Sequence, residues 1–155
     1  MKVFLDTNVF IEYIEKRLQF DAVRQIFNLL EDGKLTGIVS SGSLYTIAYI
    51  IEQGLKRKGI YNPEKLERTR EGMNLVLDLV EVAVMGKNAF RNGINNSSFH
   101  DLEDSFQYQC ALTAQCNVFI TINICDFRDV DFAYMNIMTP QEFVDKYLEP
   151  AKKLF

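Results

Sequence analysis

The sequence predicts an α/β protein, a three-layer sandwich around a parallel sheet of about five strands. Two observations predict it. Five short runs rich in Val, Ile and Phe recur along the 155 residues, each too short for a helix. Stretches of helical period, framed by capping residues, separate them. Strand–helix–strand units need parallel strands joined by crossovers, and a sheet so built is covered on both faces.

Taken in order, the strand runs are "KVFLD" (2–6), "TGIVS" (36–40), "LVEVAV" (79–84), "NVFIT" (117–121) and "MNIMT" (135–139). The helical run 21–33 has Asp21 as its expected cap and stops at Gly33. In 43–59, Leu44, Ile47, Ala48, Ile51 and Leu55 share a face, with Ser43 as expected cap. The run 62–79 opens with Asn62 as cap and Pro63 at the first helical position. In 100–115, Leu102, Phe106 and Cys110 fall four apart, and 139–148 opens with a Thr139 cap followed by Pro140.

The length suits one domain spanning 1–155, without repeat or linker. Hydrophobic residues make up 48% and charged residues 25%, enough for a core without disulfides. No apolar run is long enough to span a membrane, and the N-terminus does not read as a signal peptide. Cys110, Cys116 and Cys125 form no C-x-x-C pair, so reduced thiols and a cytoplasmic location are expected. The net charge of −4 argues against a protein that coats nucleic acid. It leaves room for an enzyme that meets nucleic acid through a local patch and a metal. Residues 52–70 carry such a local excess: Lys56, Arg57, Lys58, Lys65, Arg68 and Arg70 against Glu52, Glu64 and Glu67. They read as a solvated helix–turn–helix surface or as an RNA-backbone contact.

In open parallel sheets the ligand crevice lies at the carboxyl ends of the strands. Asp6 ends the first strand, and Asp126 follows the fourth by a few residues. Asp101, Glu103 and Asp104 open the helix leading into the fourth strand, and the N-terminus of a crossover helix lies over the same edge. Asp101 and Asp104 are three apart and can face the same way, with Glu103 pointing elsewhere. Each acid alone has a bland reading as a cap or a helix-dipole partner. Together they crowd one rim and raise one another's pKa unless a cation sits among them. Oxygen ligands without Cys or His suit Mg²⁺ or Mn²⁺, which activate water and neutralise charge on a phosphodiester.

Three motifs in this order, "FLDTNVFIEYI", "DLEDSFQYQCAL" and "FITINICDF", carry a resemblance to the PIN domain family, its toxin-like branch included. The resemblance covers nearly the whole chain. It implies a metal-dependent endoribonuclease acting on single-stranded or structured RNA, and in the toxin-like branch the toxin of a toxin–antitoxin pair. It implies Asp6, Asp104 and Asp126 as metal-holding and catalytic acids, with Asp101 an extra acid one turn earlier. Asn8, Thr121 and Asn123 match the family's supporting polar residues. An antitoxin partner and a homodimer are further implications. Two positions depart from the family pattern. The usual Glu on the helix after the second strand falls near Thr46, and no acid lies between Asp32 and Glu52. The Arg of the family's "T-R-N" stretch is Ile122. These departures keep a second function open: a degraded site serving as a nucleic-acid- or protein-binding scaffold.

Other features read more plainly. His100 reads as a loop or cap residue or a donor to a carboxylate, Cys125 as a packing residue, and Tyr45 and Tyr49 as exposed members of a dimer or partner surface. A dehalogenase-type phosphatase would need an acid where Asn8 stands. Neither a P-loop nor a dinucleotide-binding glycine motif occurs.

Overall fold

The structure is a computed structural model that describes residues 1–131 and 133–148. The last part of the expected domain, 149–155, lies outside the described residues. In chain order the elements are β1 (Lys2–Leu5), α1 (Thr7–Ile14), α2 (Phe20–Glu31), β2 (Thr36–Ser40), α3 (Ser41–Arg57), α4 (Glu64–Leu79), β3 (Val80–Ala83), α5 (Lys87–Ile94), α6 (Leu102–Thr113), β4 (Val118–Ile120), a 3-10 turn (Ile124–Phe127), β5 (Asn136–Met138) and α7 (Pro140–Tyr147). All five expected strands are present and pair in parallel in the order β3-β2-β1-β4-β5.

Strand alternation builds the three layers. Val3, Leu5, Val118 and Ile120 point to one face, against Val9, Ile26, Ile47 and Phe143 from α1, α2, α3 and α7. Phe4, Phe119 and Ile137 point to the other, against Tyr108 and Ala111 of α6 and Phe127 of the 3-10 turn. A run buried on both faces needs no polar alternation, which is why these strands read as continuous apolar runs. An aromatic cluster fills this second face: Phe4 stacks on Phe119 at 5.0 Å, and Phe119 meets Phe127 at 4.9 Å. Each such fully buried side chain contributes about 1.5–3 kcal/mol of transfer free energy.

Several helix starts differ from expectation. Helix α2 begins at Phe20 with Gln19 as its cap residue, so Asp21 lies inside the first turn and pairs with Arg24 at 2.9 Å. Ser40, not Ser43, caps α3, its Oγ accepting from the Gly42 amide at 3.2 Å. Pro63, not Asn62, is the cap residue of α4, after a cis Asn62–Pro63 bond. Thr139 and Pro140 start α7 as expected, with a capping box closed by Glu142. Gly33 ends α2 at φ 68°, the left-handed conformation that favours glycine. Helix α5 is an element that the hydrophobic pattern does not reveal. It is short and mostly polar, and it packs on α6 through an edge-to-face contact of Phe90 with Phe106. A Cβ on Gly93 would stand 2.8 Å from the Phe106 ring, so only glycine allows this approach.

On α6 the buried face runs through Ser105, Tyr108, Cys110 and Ala111, whereas Leu102 is exposed and Phe106 half-buried. The expected Leu102–Phe106–Cys110 stripe is therefore not the core face. The α3 stripe centres on buried Ile47, with Leu44 and Ile51 packed beside it. Of the basic residues in 52–70, Arg57 pairs with Glu15, Lys65 with Glu52 and Arg68 with Glu64. The cationic patch is in large part a solvated, ion-paired surface. The three thiols are free, and Cys125 is exposed rather than packed. Among the described residues no helix is long and apolar enough to cross a membrane.

Candidate active site

The strand order reverses between β1 and β4, and the crevice rule places a ligand where the carboxyl ends of those two strands diverge. A cleft of about 540 Å³ opens there. Its walls are Asp6, Thr7, Asn8 and Ile11 from the end of β1 and α1, Thr46 from α3, and His100, Asp101, Glu103 and Asp104 from the start of α6. Asn123 and Asp126 after β4 complete it. The topology thus gathers Asp6, Asp101, Asp104, Asp126, Asn8 and Asn123 into one cleft from three separate parts of the chain.

Asp6 forms the buried floor, only 4% exposed. It stands at the cap position of α1, yet its side chain makes no capping bond. Instead Oδ2 accepts from Thr121 Oγ1 at 2.7 Å and from Asn8 Nδ2 at 3.0 Å. Asn8 Oδ1 in turn accepts from the Ile122 amide at 3.1 Å, and Thr121 Oγ1 accepts from the Asn123 amide at 3.1 Å. The supporting polar residues therefore clamp the first acid to the end of β4. Burial pushes Asp6 up from 3.8 to about 6, against the hydrogen bonds from Thr121 and Asn8; the charge of Glu103 adds to the rise.

Asp104 sits in the first turn of α6 and rises from 3.8 to about 7. Burial is the larger cause, followed by the charges of Asp6, Asp101, Asp126 and Glu103. A helix N-terminus favours a carboxylate by about 0.3–1 kcal/mol, less than one pH unit. Here desolvation and four acidic neighbours outweigh the dipole. The mutual repulsion expected from the sequence is present, but it ranks second to burial. Asp101 serves as the cap of α6, its Oδ1 accepting from the Asp104 amide at 3.1 Å, while it still faces the cleft. Glu103 also lines the cleft beside Thr46 and acts on both Asp6 and Asp104, contrary to the expectation that it points elsewhere. His100 pairs with Asp129 at 3.2 Å rather than with a cleft acid.

A buried polar knot beneath the cleft escaped the sequence reading. Gln107 Nε2 donates to Thr7 Oγ1 and Ser43 Oγ, both at 2.8 Å, and Thr7 Oγ1 donates to Ser43 Oγ at 2.7 Å. It ties α1, α3 and α6 together directly under the acids. One signal was available: Gln107 stands one turn after Asp104, on the inward side of α6.

The donor set is oxygen only and suits a hard divalent cation. Among the described residues, no three His, Cys, Asp or Glu side chains are gathered round a single point.

The fold and site together define the class: an open parallel α/β protein with an acidic cleft at its strand switch. Comparison with known families makes this specific. Residues 2–125 match the PIN domain family, and the chain belongs to it. PIN domains are in general nucleases. The chain is similar in fold to a chain in the crystal structure of VapBC2 from Rickettsia felis bound to a DNA fragment from their promoter. The two align with a TM-score of 0.62 and 16% identity, over 90% of this chain and 98% of that one. No curated protein matches the sequence.

Proposed function

We propose that the chain is a Mg²⁺- or Mn²⁺-dependent endoribonuclease that hydrolyses phosphodiester bonds of single-stranded or structured RNA. The observation that carries this reading is the cleft itself. A buried, clamped Asp6 shares the cleft with Asp104, and both are raised by burial and acidic neighbours that a cation would offset. Asp6, Asp104 and Asp126 would hold the ion, with Asp101 at the rim. When bound, the cation supplies an activated water and neutralises charge on the phosphodiester. Thr121 and Asn8 hold the Asp6 carboxylate in place. Asp104, raised to about 7 in the metal-free site, gives up its proton to hold the cation. Asn123 offers an amide to the substrate from the rim.

Glu103 supports catalysis over the scaffold reading, because it brings a carboxylate to the cleft next to Thr46, where the family's helix Glu is missing. The resemblance to toxin-like members extends the proposal to a cytoplasmic toxin that forms a homodimer and meets an antitoxin, the whole of 1–155 being one domain. Incubation of labelled single-stranded RNA with Mn²⁺ tests the reading. Cleavage is expected from the wild type and none from Asp104→Asn or in EDTA. Cleavage that survives EDTA, or an equally active Asp104→Asn, overturns it.

A further inference from the structure

A second pocket adjoins the acid cleft and is chemically unlike it. It measures about 350 Å³, at the small end of ligand pockets. Thr46 and Glu103 line both, so the two share a wall. Tyr45, Phe90, Phe106 and Met85 line the second pocket, and no Lys or Arg does. Tyr45 is 84% exposed and Phe90 42%, both far outside the core. The Phe90 ring is held edge-on by Phe106 at 5.1 Å, so it is fixed although exposed.

We propose that this pocket binds an unpaired nucleobase of the RNA chain, next to the phosphate presented to the acid cleft. The proposal rests on the ribonuclease reading. A phosphate finds no Lys or Arg among the lining residues. A base requires aromatic faces, which Tyr45 and Phe90 supply. Only an unpaired base can be splayed out to stack in this way, so the pocket selects single-stranded segments over duplex. Stacking on an aromatic side chain tolerates any base, so the pocket adds affinity and register more than sequence choice. Glu103, on the shared wall, accepts hydrogen bonds from amino groups of the base.

The test measures binding of a labelled single-stranded oligoribonucleotide of about eight nucleotides by fluorescence anisotropy with Ca²⁺. A second oligonucleotide carries one abasic residue. Tyr45→Ala is expected to weaken binding of the intact strand by roughly 5- to 150-fold, with Tyr45→Phe close to wild type. Loss of the base is expected to weaken wild-type binding by a similar factor and to cost Tyr45→Ala little more. Tyr45 lies on the surface, so its truncation leaves the fold intact. Wild-type affinity in both Tyr45→Ala and Phe90→Ala, or no effect of the abasic residue, overturns the proposal. So does an absence of binding by the wild type. If Tyr45→Ala instead converts a dimer to a monomer with RNA affinity unchanged, the pocket receives a second copy of the chain and the proposal falls. If binding behaves as expected while Asp104→Asn still cleaves, the acid-cleft chemistry fails and the base pocket stands.

Discussion

Replacing Asp6 with Asn should stabilise the metal-free protein at pH 8. Asp6 is the most buried carboxylate of the cleft, and it rises from 3.8 to about 6. That rise corresponds to about 3 kcal/mol of unfavourable interaction when the group is ionised in the folded chain. Between about pH 4 and 6 the folded chain keeps a proton on Asp6 that the unfolded chain has released. Wild-type stability therefore falls as pH rises through that window and stays lowered above it. Asn carries no charge and avoids this loss. The bonds from Thr121 and Asn8 end on a neutral oxygen in Asn as they do in protonated Asp6, so they leave this difference unchanged. The gain is about 3 kcal/mol, or roughly 6–12 °C in Tm for a chain of this size. Thermal unfolding by circular dichroism in EDTA measures it. The gain should be present at pH 8 and vanish by about pH 4, where Asp6 is protonated in the folded chain. An Asn variant no more stable than wild type at pH 8, or a gain that persists unchanged at pH 4, refutes the claim that Asp6 is held as a strained buried acid.

Other outcomes follow from the same geometry. Ser43→Ala removes one acceptor from Gln107 and one from Thr7 in a buried site, and should cost about 1–3 kcal/mol in urea unfolding; an unchanged midpoint would show the knot to be slack. Gly93→Ala drives a methyl into Phe106 at 2.8 Å and should cost about 1–3 kcal/mol in the same assay. A neutral result there would mean that α5 and α6 separate freely. Calorimetric titration with Mn²⁺ at pH 6.5, in buffers of different ionisation enthalpy, should show proton release, because Asp104 sits near 7 and must ionise to ligate. Asp104→Asn should release fewer protons, and equal release from both proteins contradicts the role given to Asp104.

The central strands β1 and β4 were legible because they are buried on both faces and so carry an unbroken apolar signal, as in "NVFIT". The acids were legible because topology, not side-chain detail, brings β1, β4 and the start of α6 to one edge. Where an outcome turned on a side chain's direction, the sequence was mute. Glu103 lies next to Asp104, and helical spacing directs it away, yet the cleft wraps far enough round the first turn of α6 to include both. Ser43 looked like a cap because Ser favours that place, but Ser40 one turn earlier took the role and left Ser43 for the knot with Gln107. That knot joins residues 36, 64 and 100 positions apart, which no local pattern records. Helix α5 was hidden because a short polar helix packed on another helix has no wide apolar stripe.

The central claim is that the rim at the β1–β4 switch is a divalent-cation site anchored on Asp6. Titration of Mn²⁺ into the metal-free protein at pH 8, followed by electron paramagnetic resonance of the free ion, tests it most directly. Saturable uptake by the wild type and at least a tenfold loss of affinity in Asp6→Asn is the expected result. Equal uptake by the two proteins, or none by either, contradicts it.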